Sequence, residues 1–331
     1  MSQIPIIGDG AWGTVLAAML SRRGHDIRLW SPSEEYAAEV ARTRENRKFL
    51  PGAAIPPEVL VTADVALACG GARMAISAVP SKHLRQAAKR FAGALDPLVP
   101  VVSASKGIEV GTLARCTQVL REEIGSSRLA VLSGPSHARE VLAGLPTILV
   151  VASDDADLAL EAQAILMGES FRVYTSDDIV GVELGGALKN VIAIAAGICE
   201  GLGFGDNSKA ALLTRGLAEI TRLGVACGAK PETFGGLSGI GDLITTSISP
   251  LGRNRAVGLA IGRGGRLQEI LAGMDAVAEG VETTRSAREM ARRRRVEMPI
   301  TEAVHEVLFG GKDPRRAVSE LMARKPKPEA I

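Results

Sequence analysis

Two polar side chains, Lys189 and Asn190, interrupt an apolar run from about Ile179 to Cys199 that includes Leu184-Gly185-Gly186-Ala187-Leu188 and Val191 to Ala196. At helical spacing this run is apolar nearly all round, which predicts a helix inside a domain rather than on its surface. A lysine in that setting must find a partner or lose its charge, because desolvation disfavours the ammonium. Proteins make lysine an acid or base in this way. The alternative for a single lysine is that its stem lies along apolar surface while the ammonium reaches water.

Other groups with chemical potential stand downstream. Gly235-Gly236-Leu237-Ser238-Gly239-Ile240-Gly241 brings four glycines up to the carboxylate of Asp242, with Thr246 four residues on, and Gly252-Arg253-Asn254-Arg255 follows. A planar guanidinium such as that of Arg253 suits a phosphate.

Near the start, Gly8-Asp9-Gly10-Ala11-Trp12-Gly13 separates the strand candidate Ile4-Pro5-Ile6-Ile7 from the apolar helix Thr14 to Leu20. In that context Gly8 makes a tight turn, Gly10 lets backbone approach a pyrophosphate, and Gly13 permits close helix packing. The anion would sit on the free N–H groups of the helix start. Asp9 adds negative charge there, so its side chain is expected to point away. The second strand, Asp26 to Trp30, runs into Ser31-Pro32-Ser33, where an acid would select NAD and a basic group would accept the phosphate of NADP. Neither is present, and Ser31 or Ser33 can hydrogen-bond either ribose, so the choice between NAD and NADP stays open.

The elements that carry these groups alternate. Met74 to Val79, Val99 to Ala104, Leu129 to Leu132, Thr147 to Val151 and Phe171 to Tyr174 are further strand candidates, with a mixed segment from Asn46 to Thr62. The alternation predicts a Rossmann-like, doubly wound α/β sheet. Ligands of such sheets gather beyond the carboxyl ends of the strands, where Lys106, Gly134 and Ser136 fall. Lys106 can equally be a loop residue, and Ser136 can cap the helix that follows, with Glu140 near its start. From Asp178 the pattern turns helical through Arg324, including Ala210 to Leu223. The expected domains are therefore 1–178, dinucleotide-binding, and 179–324, all-helical and catalytic, with 325–331 a disordered tail.

Composition excludes several classes. The chain has 331 residues, room for two domains, with 46% apolar and 23% charged residues and a formal net charge of +2. That balance gives no field for nucleic acid or a membrane surface, and Arg292 to Arg295 reads as the solvated end of a helix. Cys69, Cys116, Cys199 and Cys227 form no CxxC pair, so they are expected to be reduced and buried, with no metal site. No signal-peptide pattern opens the chain, and Gly, Glu or Lys interrupts every long apolar run. No membrane insertion and a cytoplasmic location are the expectations.

The spaced motifs GDGAWGT, SKGIE around Lys106, SGPSHARE from Ser133, ELGGALKNVIAI around Lys189, GIGDLITT around Asp242, GRNR from Gly252, AEGVETT around Glu279 and EMPITEAVHEVLFGGKDPR run nearly end to end. Jointly they resemble NAD(P)-dependent glycerol-3-phosphate dehydrogenase of the bacterial soluble type. The resemblance implies a helical second domain like the C-terminal domain of 6-phosphogluconate dehydrogenase. It implies interconversion of sn-glycerol 3-phosphate and dihydroxyacetone phosphate with NAD or NADP, supplying glycerophospholipid synthesis, and a homodimer. It assigns Lys189 as the proton donor or acceptor at C2, and Lys106, Asn190, Asp242 and Thr246 to the catalytic pocket, with Gly134 and Ser136 nearby. Arg253, Asn254 and Gly252 would hold the phosphate. Ala11, Trp12, Ser31, Pro32, Lys106, Ala138, Arg253, Val277 and Glu279 would join Gly8, Gly10 and Gly13 at the cofactor.

Three residues depart from the family pattern. Asp9 replaces a small residue, Gly252 stands where serine is frequent and leaves only a backbone N–H, and His137 replaces an aromatic and reads as packing. Two rival functions remain at this level. One is a 3-hydroxyacid or 6-phosphogluconate-type dehydrogenase, which also sets a lysine beside an asparagine on a buried helix. The other is a silent NAD(P) sensor, which would need no lysine.

Overall fold

The computed structural model describes residues 2–274, 276–326, 328 and 329. The expected disorder of the tail falls partly on residues 327, 330 and 331, which lie outside the described residues. The chain divides into two compact units, one of residues 1–106 and 114–179, the other of 107–113 and 180–331.

The first unit is an eight-stranded sheet: β1 (Gln3–Ile7), β2 (Asp26–Trp30), β3 (Leu60–Thr62), β4 (Ala75–Ser77), β5 (Val101–Ser103), β6 (Leu129–Ser133), β7 (Thr147–Ser153) and β8 (Phe171–Ser176). Their order is β3-β2-β1-β4-β5-β6-β7-β8, and the pairs from β3 to β6 are all parallel. This is the doubly wound dinucleotide-binding order, with its switch point between β1 and β4. In the middle of the sheet β5 and β6 are buried at every position, as strands covered by helices on both faces are.

Two details went beyond the sequence pattern. β3 lies inside the segment that read as mixed, since three residues are too few to show a period. β7 runs antiparallel to β6, while β8 is parallel to β7. The β6–β7 connection contains only the five-residue helix Ala138–Leu142.

The second unit is helical around one core that includes Leu184, Leu188, Val191, Ile194, Val257 and Val281. Residues 107–113 belong to it, with Ile108 in its core and the Ile108 carbonyl accepting from Ser286 Oγ at 3.0 Å. The helix Ile179–Gly201 is buried without a break from Gly181 to Cys199. Its length and mean hydropathy of 1.6 would suit a membrane span, yet 94% of that window is buried inside the protein, so its apolar surface is already covered. The next helix, Asp206–Ala226, begins four residues before the apolar pattern, with Gly205 as its N-cap. Cys69, Cys116 and Cys199 are buried and Cys227 is half-buried, none of them in a disulfide.

Candidate active site

In the sheet unit each glycine of the first turn has a separate geometric reason. Gly8 leaves β1 with φ +112°, which L side chains rarely adopt. A Cβ on Gly13 would lie 2.0 Å from the Gly8 carbonyl oxygen, so only glycine lets the helix start this close to β1. Gly10 faces open space, and as N-cap of Ala11–Ser21 it brings no side chain to the first-turn amides. Those amides have no carbonyl one turn before them. An unobstructed helix start of this kind fits a dinucleotide pyrophosphate. Ala11, Trp12 and Ala138 come together in one apolar cluster with Val15 and Leu50.

At the end of β2, Ser31 Oγ donates to Asp9 Oδ2 at 2.6 Å, and both side chains are buried. Burial pushes the Asp9 carboxyl above its usual range, and the Ser31 hydrogen bond partly offsets this. Ser33 Oγ accepts from Tyr36 N at 3.2 Å as N-cap of the helix Glu34–Thr43. Both serines at the expected ribose position are thus already engaged. The exposed Pro32 accepts from Arg90 through its carbonyl.

Beyond β5 and β6, Lys106 Nζ donates to the Gly134 carbonyl at 2.8 Å and lies 3.4 Å from Ser136 Oγ. Ser136 Oγ itself donates to Gly134 O at 3.0 Å. Ser136 is therefore not the helix cap; the helix starts at Ala138, with His137 in the cap position. Gly134 has φ +123°, and a Cβ there would lie 2.9 Å from Leu149 Cδ2.

In the helical unit Lys189 is 6% exposed, with Asp242 at 2% and Thr246 at 6%. Its Nζ lies 2.8 Å from Asp242 Oδ1 and also donates to Thr246 Oγ1. Of the possibilities for a lysine on such a helix, the structure has the pairing. The local chain path explains how. A Cβ on Gly185 would lie 2.8 Å from the Ser238 carbonyl, so helix Ile179–Gly201 touches backbone there. Ser238 lies in the π-turn Leu237–Gly241 that runs into helix Asp242–Ile248. One turn beyond Gly185 is Lys189; four and eight residues beyond Ser238 are Asp242 and Thr246. The contact that needs glycine sets the register that pairs the charges.

Asn190 and Asn254 form a second group. Asn254 Nδ2 donates to Asn190 Oδ1 at 2.8 Å, and Gly280 N donates to Asn254 Oδ1 at 2.9 Å. Asn254 thus keeps only one amide hydrogen for a ligand. Gly252, the N-cap of helix Arg253–Gly262, already donates its N–H to Ser249 O at 3.1 Å. That N–H is not left over for a phosphate, and a Cβ at 252 would stand 2.6 Å from Thr246 O, so the site has no room for serine. Arg253 is exposed and, among the described residues, makes no hydrogen bond or ion pair. Desolvation lowers its pKa and Glu279 raises it. Its five donors therefore remain at the start of a ten-residue helix. Val277 and Glu279 are half-buried, Glu279 opening the helix Glu279–Arg294.

Sequence reasoning missed two buried polar groups. Asn46 is fully buried and donates to Asp9 O at 2.6 Å and Thr14 Oγ1 at 2.7 Å. Nothing in its neighbourhood signals this. Glu219, 1% exposed, falls on the apolar stripe with Gly216, Ile220 and Leu223, and an acid on such a stripe is a readable signal. Among the described residues no cluster of three or more His, Cys, Asp or Glu is placed to hold a metal ion.

The family description for the NAD-dependent glycerol-3-phosphate dehydrogenase N-terminus matches residues 3–159, and that for its C-terminus matches residues 178–319. A glycerol-3-phosphate dehydrogenase [NAD(P)+] of Pelotomaculum thermopropionicum is 50% identical over 325 residues, covering 97% of this chain and 93% of that protein. One from Geobacillus kaustophilus is 48% identical over 99% of this chain and 96% of its own. The crystal structure of glycerol-3-phosphate dehydrogenase from Coxiella burnetii superposes with a TM-score of 0.93 at 38% identity, covering 97% of this chain and 98% of that one.

Proposed function

This chain belongs to the NAD-dependent glycerol-3-phosphate dehydrogenase family, and from that premise we propose that it interconverts sn-glycerol 3-phosphate and dihydroxyacetone phosphate with NAD or NADP. The direction that forms glycerol 3-phosphate supplies glycerophospholipid synthesis. The observation that carries the reading is the buried ammonium of Lys189 held by Asp242 and Thr246.

When bound, the nicotinamide exchanges a hydride with C2 of the substrate, which leaves an oxygen that must gain or lose a proton. Lys189 Nζ is the group for that proton: it protonates the C2 oxygen in reduction and takes the proton back in oxidation. Asp242 and Thr246 fix the direction of Nζ. Asn190, one residue on, holds Asn254 and so the start of the helix that bears Arg253. The unpaired guanidinium of Arg253 takes the substrate phosphate, for which its planar fork is suited. In the sheet unit, Gly8, Gly10 and Gly13 shape the pyrophosphate site, Ala11, Trp12, Ser31, Pro32 and Ala138 line the cofactor, and Lys106, Gly134 and Ser136 serve the substrate side. Val277 and Glu279 belong to the cofactor set.

The division of labour near residue 178, a cytoplasmic location and a homodimer are parts of the same proposal. The test is absorbance decay of reduced nicotinamide with dihydroxyacetone phosphate for the wild type and Lys189→Ala. The expected loss in kcat is on the order of 10²-fold or more, the scale of a general acid. Since that change strands the buried Asp242 carboxylate, a thermal melt and a cofactor titration accompany it. Turnover of 3-hydroxyacids but not of dihydroxyacetone phosphate would favour the rival dehydrogenases. Binding of cofactor with no turnover of either would favour a sensor.

A further inference from the structure

In a doubly wound sheet the carboxylate that meets the adenosine ribose normally ends the second strand. Here that position is Ser31, but a carboxylate stands there all the same. Asp9, between Gly8 and Gly10, reaches the end of β2 and accepts from Ser31 Oγ at 2.6 Å. The neighbouring side chains hold it in place. The Asp9 carbonyl accepts from Asn46 Nδ2 at 2.6 Å, and Asn46 is itself tied to Tyr36 OH at 2.6 Å and to Phe49 N at 3.1 Å. Thr14 Oγ1 closes the same loop at 3.4 Å from Asp9 O.

We propose that Asp9 supplies the carboxylate that accepts a hydrogen bond from the adenosine 2′-hydroxyl and turns away a 2′-phosphate, so that this protein prefers NAD(H) to NADP(H). The inference rests on the dehydrogenase reading above and concerns only its cofactor.

A 2′-phosphate would bring about two negative charges next to a carboxylate that is already largely desolvated, where repulsion is weakly screened. The polar groups that could compensate are engaged. Ser31 donates to Asp9, and Ser33 caps a helix. Two cations border the loop. Lys48 lies over the rings of Phe49 and Tyr36, at 5.1 and 6.0 Å from their centroids, and its attraction is the least of the influences on Asp9. Arg90 stacks 4.7 Å over Trp30 and donates to the Pro32 carbonyl at 3.1 Å. Both already make these contacts, Arg90 giving one of its five donors to Pro32. Burial and the Ser31 bond act in opposite senses on the carboxyl, and Lys48 adds to the second.

The experiment titrates the full-length protein with NADH and NADPH, following nicotinamide fluorescence. It then displaces NADH with ADP and with 2′,5′-ADP, which differ by the 2′-phosphate in question. Turnover of dihydroxyacetone phosphate is measured with both reduced cofactors. Wild type, Asp9→Ser and Asp9→Asn are compared; the asparagine keeps the volume and an oxygen for Ser31 while removing the charge, so a poorly folded serine variant does not end the test. The wild type is expected to bind NADH at least about tenfold more tightly than NADPH, and the ratio should fall to within about threefold in the variants. Displacement by 2′,5′-ADP should strengthen in step. A wild type without NADH preference, or a ratio unmoved in both variants while turnover persists, overturns the proposal alone. A wild type that binds neither dinucleotide overturns the dehydrogenase reading and this proposal with it.

Discussion

Asn254 Nδ2 donates to Asn190 Oδ1 at 2.8 Å, so the residue next to Lys189 holds the residue next to Arg253. Asn254 also receives the Gly280 N–H, and the three residues lie on three different helices. Replacing Asn254 by alanine removes both bonds and leaves the buried Gly280 N–H and the Asn190 side-chain oxygen without these partners. The expected cost is about 1–3 kcal/mol, read as a lower urea midpoint with an unchanged slope. An unchanged midpoint would mean that the two bonds contribute nothing net.

Arg253 should behave in the opposite way. Its side chain is exposed and, among the described residues, makes no hydrogen bond or ion pair, so Arg253→Ala is expected to leave stability within about 0.5 kcal/mol. Its effect should fall on the phosphorylated substrate: a loss of kcat/KM of roughly 10²-fold, mostly in KM, with Arg253→Lys intermediate because an ammonium keeps the charge but loses the fork. Equal KM values for the wild type and Arg253→Ala would remove Arg253 from the phosphate site.

Helices Ile179–Gly201 and Arg253–Gly262 meet backbone to backbone through glycines. A Cβ on Gly258 would lie 2.0 Å from Ile194 O, and one on Gly197 would lie 2.1 Å from Arg255 O. Gly258→Ala must push the helices apart, at an expected cost of about 1–3 kcal/mol, and move Arg253 with its helix, so KM should rise. Gly205→Ala is the contrast: with open space around it at a helix N-cap, it should cost less than about 1 kcal/mol. Similar urea midpoints for the two variants would contradict the close-packing argument.

Much of this was legible in sequence because it is periodic or local. The strand, glycine turn and helix from Ile4 to Leu20 announce themselves over short range, and the run around Lys189, apolar nearly all round, reads as a buried helix. What the pattern does not carry is who faces whom. Lys189 and Asp242 are 53 residues apart, and their pairing depends on Gly185 touching Ser238, a contact that no periodicity encodes. Asp9 is the sharpest case. By sequence it is an acid misplaced beside an anion site. Only Ser31, 22 residues later and across the β1–β2 pair, shows where its carboxylate goes.

Glu219 makes the stability of the helical unit depend on pH in a direction opposite to that of most carboxylates. It sits on Asp206–Ala226 with 1% exposure and accepts from Ile300 N at 2.6 Å and Thr301 N at 3.1 Å, at the start of helix Pro299–Phe309. Burial outweighs these bonds and pushes its carboxyl from 4.5 up to about 7. The folded state therefore holds this proton more tightly than the unfolded chain. The resulting stabilisation is fully present below pH 4.5 and is lost as pH rises through about 7. The gap corresponds to about 3 kcal/mol. Glu219→Gln cannot titrate, and its nitrogen faces a backbone donor, so it should be less stable than the wild type at pH 5. The difference should then shrink or reverse toward pH 8, as the wild type loses its proton and the variant does not. Urea midpoints of the two proteins at half-unit steps between pH 5 and 8 check this; curves that stay parallel across the range would show that Glu219 does not change its charge there.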